Sequence, residues 1–282
     1  MTPTFAQRRL IKTSVKYQKQ ENVMFEARKT FSRIKLTADD VKKTRRYQRA
    51  IPPFIGAILV LLVLVYILSL LFSRYGSFTI AVKDYGDRDY ALALCENDEF
   101  KTTSSRLVAQ EIRDADNITY TELPSDLNDV NGSHNGKNYL AYTFYVKNIG
   151  KNDCNYKYSL LITRATVGID AAVRVRVYYN ANYYKKATDT YDYSSAYVDY
   201  AKPKTGGNGL PEVDSGNRTM TNFLTNDVIV EKQINDFHSG DIAKVTVVIW
   251  LEGEDPDCTD DVLGGQFKTD MVLEIVGANE TA

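Results

Sequence analysis

Residues 54–72 read FIGAILVLLVLVYILSLLF, nineteen positions without a charge. Tyr66 and Ser69 carry the only hydrogen-bonding side chains in the run. A helix rises ~1.5 Å per residue, so the run matches the hydrocarbon core of a bilayer, about 30 Å thick. A helix in a globular core keeps a polar face over such a length, and this run has none. The expectation is a membrane-spanning helix. Pro52 and Pro53 stand at its start, where a helix tolerates proline.

Charge sets the direction of that span. The 282-residue chain has a formal net charge of −1, which hides a steep asymmetry. Residues 1–50 hold 14 Lys/Arg and 4 Asp/Glu, net +10. Residues 51–73 hold no charge, and residues 74–282 are net −11. Arg45, Arg46 and Arg49 stand just before the span, and Arg74 alone follows it closely. The excess of cations on the N-terminal side keeps that side in the cytoplasm and exports the rest. A cleaved signal peptide has a short charged region, an apolar core of about 7–15 residues and a small-x-small site. Here the charged region and the core are both too long, and SRYGS offers no such site. The expected organisation is a basic, partly helical cytoplasmic segment over 1–50, a transmembrane signal anchor over 51–73 and an extracellular domain over 74–282. Within the head, Thr37 could cap a helix through ADDVKKTRRYQRA, with Asp39 and Asp40 in its first turn. Such a helix suits either an anionic lipid surface or a topology determinant. Nothing in it matches a nucleic-acid recognition fold.

The exported part alternates with period two. YLAYTFYVKN sets Leu140, Tyr142, Phe144 and Val146 against Ala141, Thr143, Tyr145 and Lys147. AAVRVRVYYN sets Val173, Val175 and Val177 against Arg174 and Arg176. IAKVTVVIWLEG and FKTDMVLEIVG repeat the pattern, with Trp250 opposite Val245, Val247, Ile249 and Leu251. Such alternation predicts antiparallel strands with one buried and one wet face. Many such runs between Gly/Asn/Asp turns predict an all-β, antiparallel β-sandwich of jelly-roll or Ig-like type. One short helix is expected in SSRLVAQEIRD, within residues 96–115. Residues 178–200 gather eight of the chain's 20 tyrosines. They suit contact with proteins or sugars, or the covering of a two-sided hairpin. Residues 202–217 form a Gly/Pro-rich loop after them.

Catalytic chemistry is not expected. GxSxG, HExxH, CxxC and GxGxxG are all missing, and His134 and His238 both sit in turn-like segments. Surface transpeptidases share the anchored topology, but here Cys258 lies in EDPDCTDD, where carboxylates oppose a thiolate's charge, and no Arg follows it. Cys95, Cys154 and Cys258 allow one disulfide and one odd thiol, in three pairings. The same loop supplies the metal expectation. Glu254, Asp255, Asp257, Asp260 and Asp261, beside Glu252, crowd enough carboxylate for a weak Ca²⁺ site, although the spacing is not an EF-hand's. The alternative is a solvated acidic turn, with Asp260 or Asp261 capping a short helical turn. No other cofactor is expected.

YLAYTFYVKNIGKNDCNYKYSLLIT, IDAAVRVRVYYN and VVIWLEGEDPDCTDDVLGGQFKTDMVLEIV resemble membrane-anchored surface β-sandwich proteins of Firmicutes, chiefly clostridial. More distantly, YTFYVKNIG is similar to the camelysin/TasA-type biofilm matrix family. The resemblance covers residues 77–276 and implies a Gram-positive cell-surface sandwich that assembles by strand exchange. The chain departs from the matrix proteins in its anchor and its 50-residue head. Together these readings predict a non-enzymatic, single-pass surface protein. Its expected partners are the membrane, an extracellular protein or wall component, and further copies of itself, without nucleic acid. A membrane-anchored sensor or accessory subunit of a secretion or division machine is the second reading.

Overall fold

The computed structural model describes residues 55–66, 78–83 and 89–277. By its contacts the chain divides into two units, Met1–Leu70 and Leu71–Ala282. In the first unit, residues 55–66 form an α-helix. Its eight consecutive side chains from Leu59 to Tyr66 are all exposed, which at ~3.6 residues per turn covers every direction around the axis. Among the described residues no helix is long and apolar enough to cross a membrane. Residue 54, residues 67–72 and the head with its expected helix lie outside the described residues.

The second unit is all-β. Its described strands are β1 (Phe78–Val82), β2 (Leu92–Cys95), β3 (Arg106–Val108), β4 (Gly132–Ser133), β5 (Tyr139–Asn148), β6 (Cys154–Ala165), β7 (Val173–Lys185), β8 (Thr190–Tyr191), β9 (Tyr197–Ala201), β10 (Val213–Asp214), β11 (Arg218–Thr219), β12 (Thr221–Asn222), β13 (Val228–Phe237), β14 (Ile242–Leu251) and β15 (Phe267–Gly277). One sheet runs β13-β6-β15-β1-β3. The other runs β12-β9-β7-β14-β5-β2, with β4 added to β5 and β8 to β7, and β10-β11 form a small ribbon. Pairing is antiparallel except for β1 with β15 and β12 with β9.

The alternation read from the sequence sets the inner faces. Leu140, Tyr142, Phe144 and Val146 of β5 join Val173, Val175 and Val177 of β7 and Val245 and Val247 of β14. Tyr156, Tyr158 and Leu160 of β6, Met271, Leu273 and Ile275 of β15, and Phe78 and Ile80 of β1 complete the same core. Rings meet between the sheets. Tyr158 stacks on Tyr179 with centroids 4.1 Å apart, and Phe78 meets Tyr142 edge-on at 6.2 Å. The hydroxyls of Tyr156 and Tyr179 lie 2.7 Å apart, so the buried Tyr156 and the partly buried Tyr179 satisfy each other. Strand β14 is central, and Val247 pairs with Tyr142 on one side and Val177 on the other.

The outer face of the larger sheet departs from expectation. It is not wet. Ala141, Thr143, Tyr145, Arg174, Arg176, Thr246, Val248 and Trp250 are all buried. The segment between β3 and β5 crosses that face, where Ile118 and Leu127 pack with Ala141, Tyr178, Val248 and Trp250. Its Asn128 accepts from Thr246 Oγ1 at 2.8 Å, and Thr143 and Thr246 share a hydrogen bond at 2.7 Å. Alternation in sequence reports which side chains share a face, and it is blind to what a distant loop lays over that face. The short helix expected in SSRLVAQEIRD is also replaced. Arg106–Val108 pair as β3 with β1, because extending the sheet edge satisfies backbone groups that one helical turn would leave open. Connections use permissive backbone where needed: Gly240, at φ 92, closes the β13–β14 turn in which Asp241 N–H donates to His238 O.

Candidate functional site

Strand β7 sends Arg174 and Arg176 to the covered face. Arg174 Nη2 donates to Asp214 Oδ1 at 2.8 Å and to Asp255 Oδ2 at 2.7 Å, and Nε donates to Asp214 Oδ1 at 3.0 Å. Burial opposes the guanidinium charge, but the Asp214 and Asp255 carboxylates outweigh it and hold the group further toward its charged form. Asp214 comes from β10 and Asp255 from the β14–β15 connection, so one arginine ties both loops to the sheet. Asp214 Oδ2 and Arg174 Nη1 are buried without a hydrogen-bond partner.

Arg176 forms a second cluster beside the first. It grips Asp199 of β9 with two parallel bonds, Nε to Oδ1 at 2.7 Å and Nη2 to Oδ2 at 3.0 Å. Arg218 of β11 also donates to Asp199 Oδ2. The Arg176 guanidinium lies 4.0 Å from the Tyr197 ring centre and 5.7 Å from that of Trp250. Arg218 covers Tyr120 at 3.7 Å, and Trp250 Nε1 donates to Glu252 Oε2 at 3.0 Å. Sequence reading missed both clusters. The separations are 40 and 81 residues for the partners of Arg174 and 23 for that of Arg176. The only local trace was two arginines at alternate positions in a valine-rich strand, which also reads as a wet face.

The five acidic residues expected to hold a cation are divided. Asp255 is buried against Arg174, and its Oδ1 accepts from Asp257 N–H at 2.7 Å. Glu254, Asp260 and Asp261 are exposed. Asp260–Val262 form a 3₁₀ turn whose cap residue is Thr259, with Asp260 and Asp261 in the first turn rather than at the cap. Asp255 and Asp257 instead meet Glu212, which precedes β10: carboxylate oxygens of the three lie within 4.8 Å of one another.

The tyrosines differ in burial. Tyr178, Tyr183 and Tyr200 are buried, while Tyr191, Tyr193 and Tyr197 are exposed, Tyr193 by 74%. Tyr191 and Tyr193 lie with rings 9° from parallel and 6.0 Å between centroids, and both meet Tyr183 edge-on. Tyr183 is anchored below by its hydroxyl, which donates to Asp98 at 2.9 Å. The result is a rigid aromatic surface at the β7–β8 end of the sheet.

The histidines serve turns. His134 bridges the backbone carbonyls of Gly132 and Leu127, and His238 pairs with Asp153 at 2.7 Å. All three cysteines are free: Cys95 and Cys154 are buried, and Cys258 is half-buried with Sγ accepting from Asn117 at 3.3 Å. Comparison with protein-family models, with curated proteins and with solved structures returns no match for the chain.

Proposed function

We propose that this is a non-enzymatic, single-pass protein of a Gram-positive cell surface. Its helix anchors it, its N-terminus lies in the cytoplasm, and its exported β-sandwich, jelly-roll or Ig-like in type, contacts an extracellular protein or wall component, its own copies included. The observation that carries the reading is the helix of residues 55–66. It is apolar on every side, and its side chains from Leu59 to Tyr66 are all exposed. An uncovered apolar helix in water is costly, at ~25 cal/mol per Å² of exposed apolar surface, and lipid removes that cost. The charge step from +10 to −11 across it supplies the direction. The stacked, exposed Tyr191 and Tyr193 supply a contact surface, since rigid aromatic rings lose little entropy on binding. The resemblance of the strand phrases to Firmicutes surface proteins agrees with this placement.

The test is protease treatment of wall-free cells carrying a tag at each end of the chain. The C-terminal tag should vanish while the N-terminal tag survives on a fragment of about the anchor and head. Survival of the C-terminal tag on intact cells overturns the topology. Tyr191→Ser with Tyr193→Ser should leave the topology unchanged and weaken retention of whichever envelope component co-purifies with the wild type.

A further inference from the structure

We propose that the free edge of β9 at Tyr197–Asp199 is a docking groove for an extended peptide segment of another protein, acidic around one apolar side chain, which pairs with β9 as an added strand. Strand β7 runs along one edge of β9 over its whole length. On the other edge, β12 pairs with Tyr200 and Ala201 alone. Among the described residues no strand lies beside Tyr197, Val198 and Asp199 on that side. There the preceding β11 turns away to pair with β10. An open edge offers backbone donors and acceptors to an incoming strand. The long β13 edge of the smaller sheet is different. It carries exposed Glu231 and Lys232 and two register shifts, and both features discourage edge pairing.

The edge separates two pockets, one on each face of the sheet, and Tyr197 and Val198 line both. The inner pocket, about 140 Å³, opens between the sheets and is walled by Tyr158, Val177, Tyr179 and Tyr200. A cavity of about 150 Å³ holds a benzene ring, so this one takes a single side chain of Phe or Leu size. The outer pocket, about 350 Å³, is lined by Asp199, Arg218, Thr219 and Thr221. Successive side chains of a strand point to opposite faces. A strand laid along Tyr197–Asp199 therefore sends one side chain into the inner pocket and its two neighbours toward the outer one.

Charge selects those neighbours. Asp199 pairs with both Arg176 and Arg218, so one carboxylate faces two guanidinium groups on the outer side. Lys232 stands exposed at the rim of the inner pocket, without an ion pair among the described residues. These cations belong to a part of the chain, residues 74–282, whose net charge is −11. A peptide with carboxylates on both sides of one apolar residue matches the apolar pocket and the surrounding cations together. Backbone pairing supplies affinity in such an arrangement, and the alternate pockets supply sequence preference. The groove uses neither Tyr191 nor Tyr193, and its occupancy does not depend on which side of a membrane it faces.

The experiment titrates the full chain in detergent, at physiological ionic strength, into the peptide Thr-Glu-Phe-Glu-Thr carrying an N-terminal fluorescein and a C-terminal amide, and reads anisotropy. Binding should saturate. Exchanging the peptide's Phe for Ala should weaken it about tenfold or more, and exchanging both Glu for Lys should weaken it as well. Two further peptides carry N-methyl groups on alternate backbone nitrogens, one in each phase. An added strand turns only one set of its N–H groups toward β9, so one phase should lose about fivefold or more and the other should bind like the parent. Lys232→Glu should weaken the parent peptide about two- to fivefold. Lys101→Glu, beyond β2 at the opposite edge of the larger sheet, should not. The proposal is overturned by the lack of saturable binding at millimolar peptide, by equal responses to the two methylation phases, or by equal effects of Lys232→Glu and Lys101→Glu. Sedimentation that shows a dimer dissolved by the peptide would make a second copy the occupant and overturn the peptide assignment too.

Discussion

Arg174 Nη2 donates to Asp255 Oδ2 at 2.7 Å, and neither side chain is more than 1% exposed. The bond joins the start of β7 to a loop 81 residues away. It makes the covered face of the larger sheet an ionic as well as an aromatic interior. Such pairs are costly to bury and more costly to break, because each partner is stranded without water when the other is removed.

Arg174→Ala should therefore destabilise the full chain by about 3–5 kcal/mol in urea unfolding, leaving Asp214 and Asp255 unpaired. Lys137→Ala breaks the exposed pair with Asp116 and should cost under about 1 kcal/mol. Equal effects from the two changes would mean that Arg174 is hydrated in solution.

Val247 tests the packing of the central strand. It is fully buried between Tyr142 and Val177 in the central strand. Val247→Asp should cost several kcal/mol and abolish cooperative melting, since a lone charge would replace a packed methyl pair. A wild-type melt from this variant would place Val247 outside the packed core.

The pH dependence has a definite sign. Burial raises the carboxyls of both Glu212 and Glu252 above 4.5. The folded state then binds protons that the unfolded state does not, so stability falls as pH rises from 4.5 through the raised values. Asp153 acts oppositely. The His238 hydrogen bond, then the Ser239 N–H, hold it below 3.8, so its contribution is present above that value and lost as pH falls through the lower one. About half of the Asp153 side chain is exposed, and screening keeps its part small. The melting temperature should rise as pH falls through the raised carboxyl values toward 4.5, before acid unfolding sets in. Glu252→Gln should flatten that rise, and an unchanged slope would remove Glu252 from the account.

Thiol labelling tests the covered interior. Cys95 and Cys154 are at most 2% exposed, and burial pushes the Cys154 thiol up to about 11, with Asp153 adding to the shift. Under native conditions a maleimide should modify Cys258 alone, and all three should react in denaturant. Rapid native labelling of Cys154 would show that the β5–β6 end opens.

Strand identity was legible because a side chain's face depends only on its own parity. Tyr139–Asn148 and Phe267–Gly277 end where the alternating runs end. The all-β character and the burial of Val245 and Val247 follow from the same local rule. Tyr191 and Tyr193 were recognisable as a cluster by composition, although only the hairpin stacked their rings and left them exposed.

The sequence by itself determined the apolar run, the charge step across it and the strands of the C-terminal part, because each is a property of neighbours along the chain. Only the tertiary structure decided that Arg174 and Arg176 lie inside, that Asp255 turns inward while Glu254 stays in solvent, and that Glu212 joins Asp255 and Asp257. Those outcomes depend on which loop crosses which face. A buried charge is tolerated only where another segment brings its partner, and no local pattern records the arrival of a residue from 40 or 81 positions away.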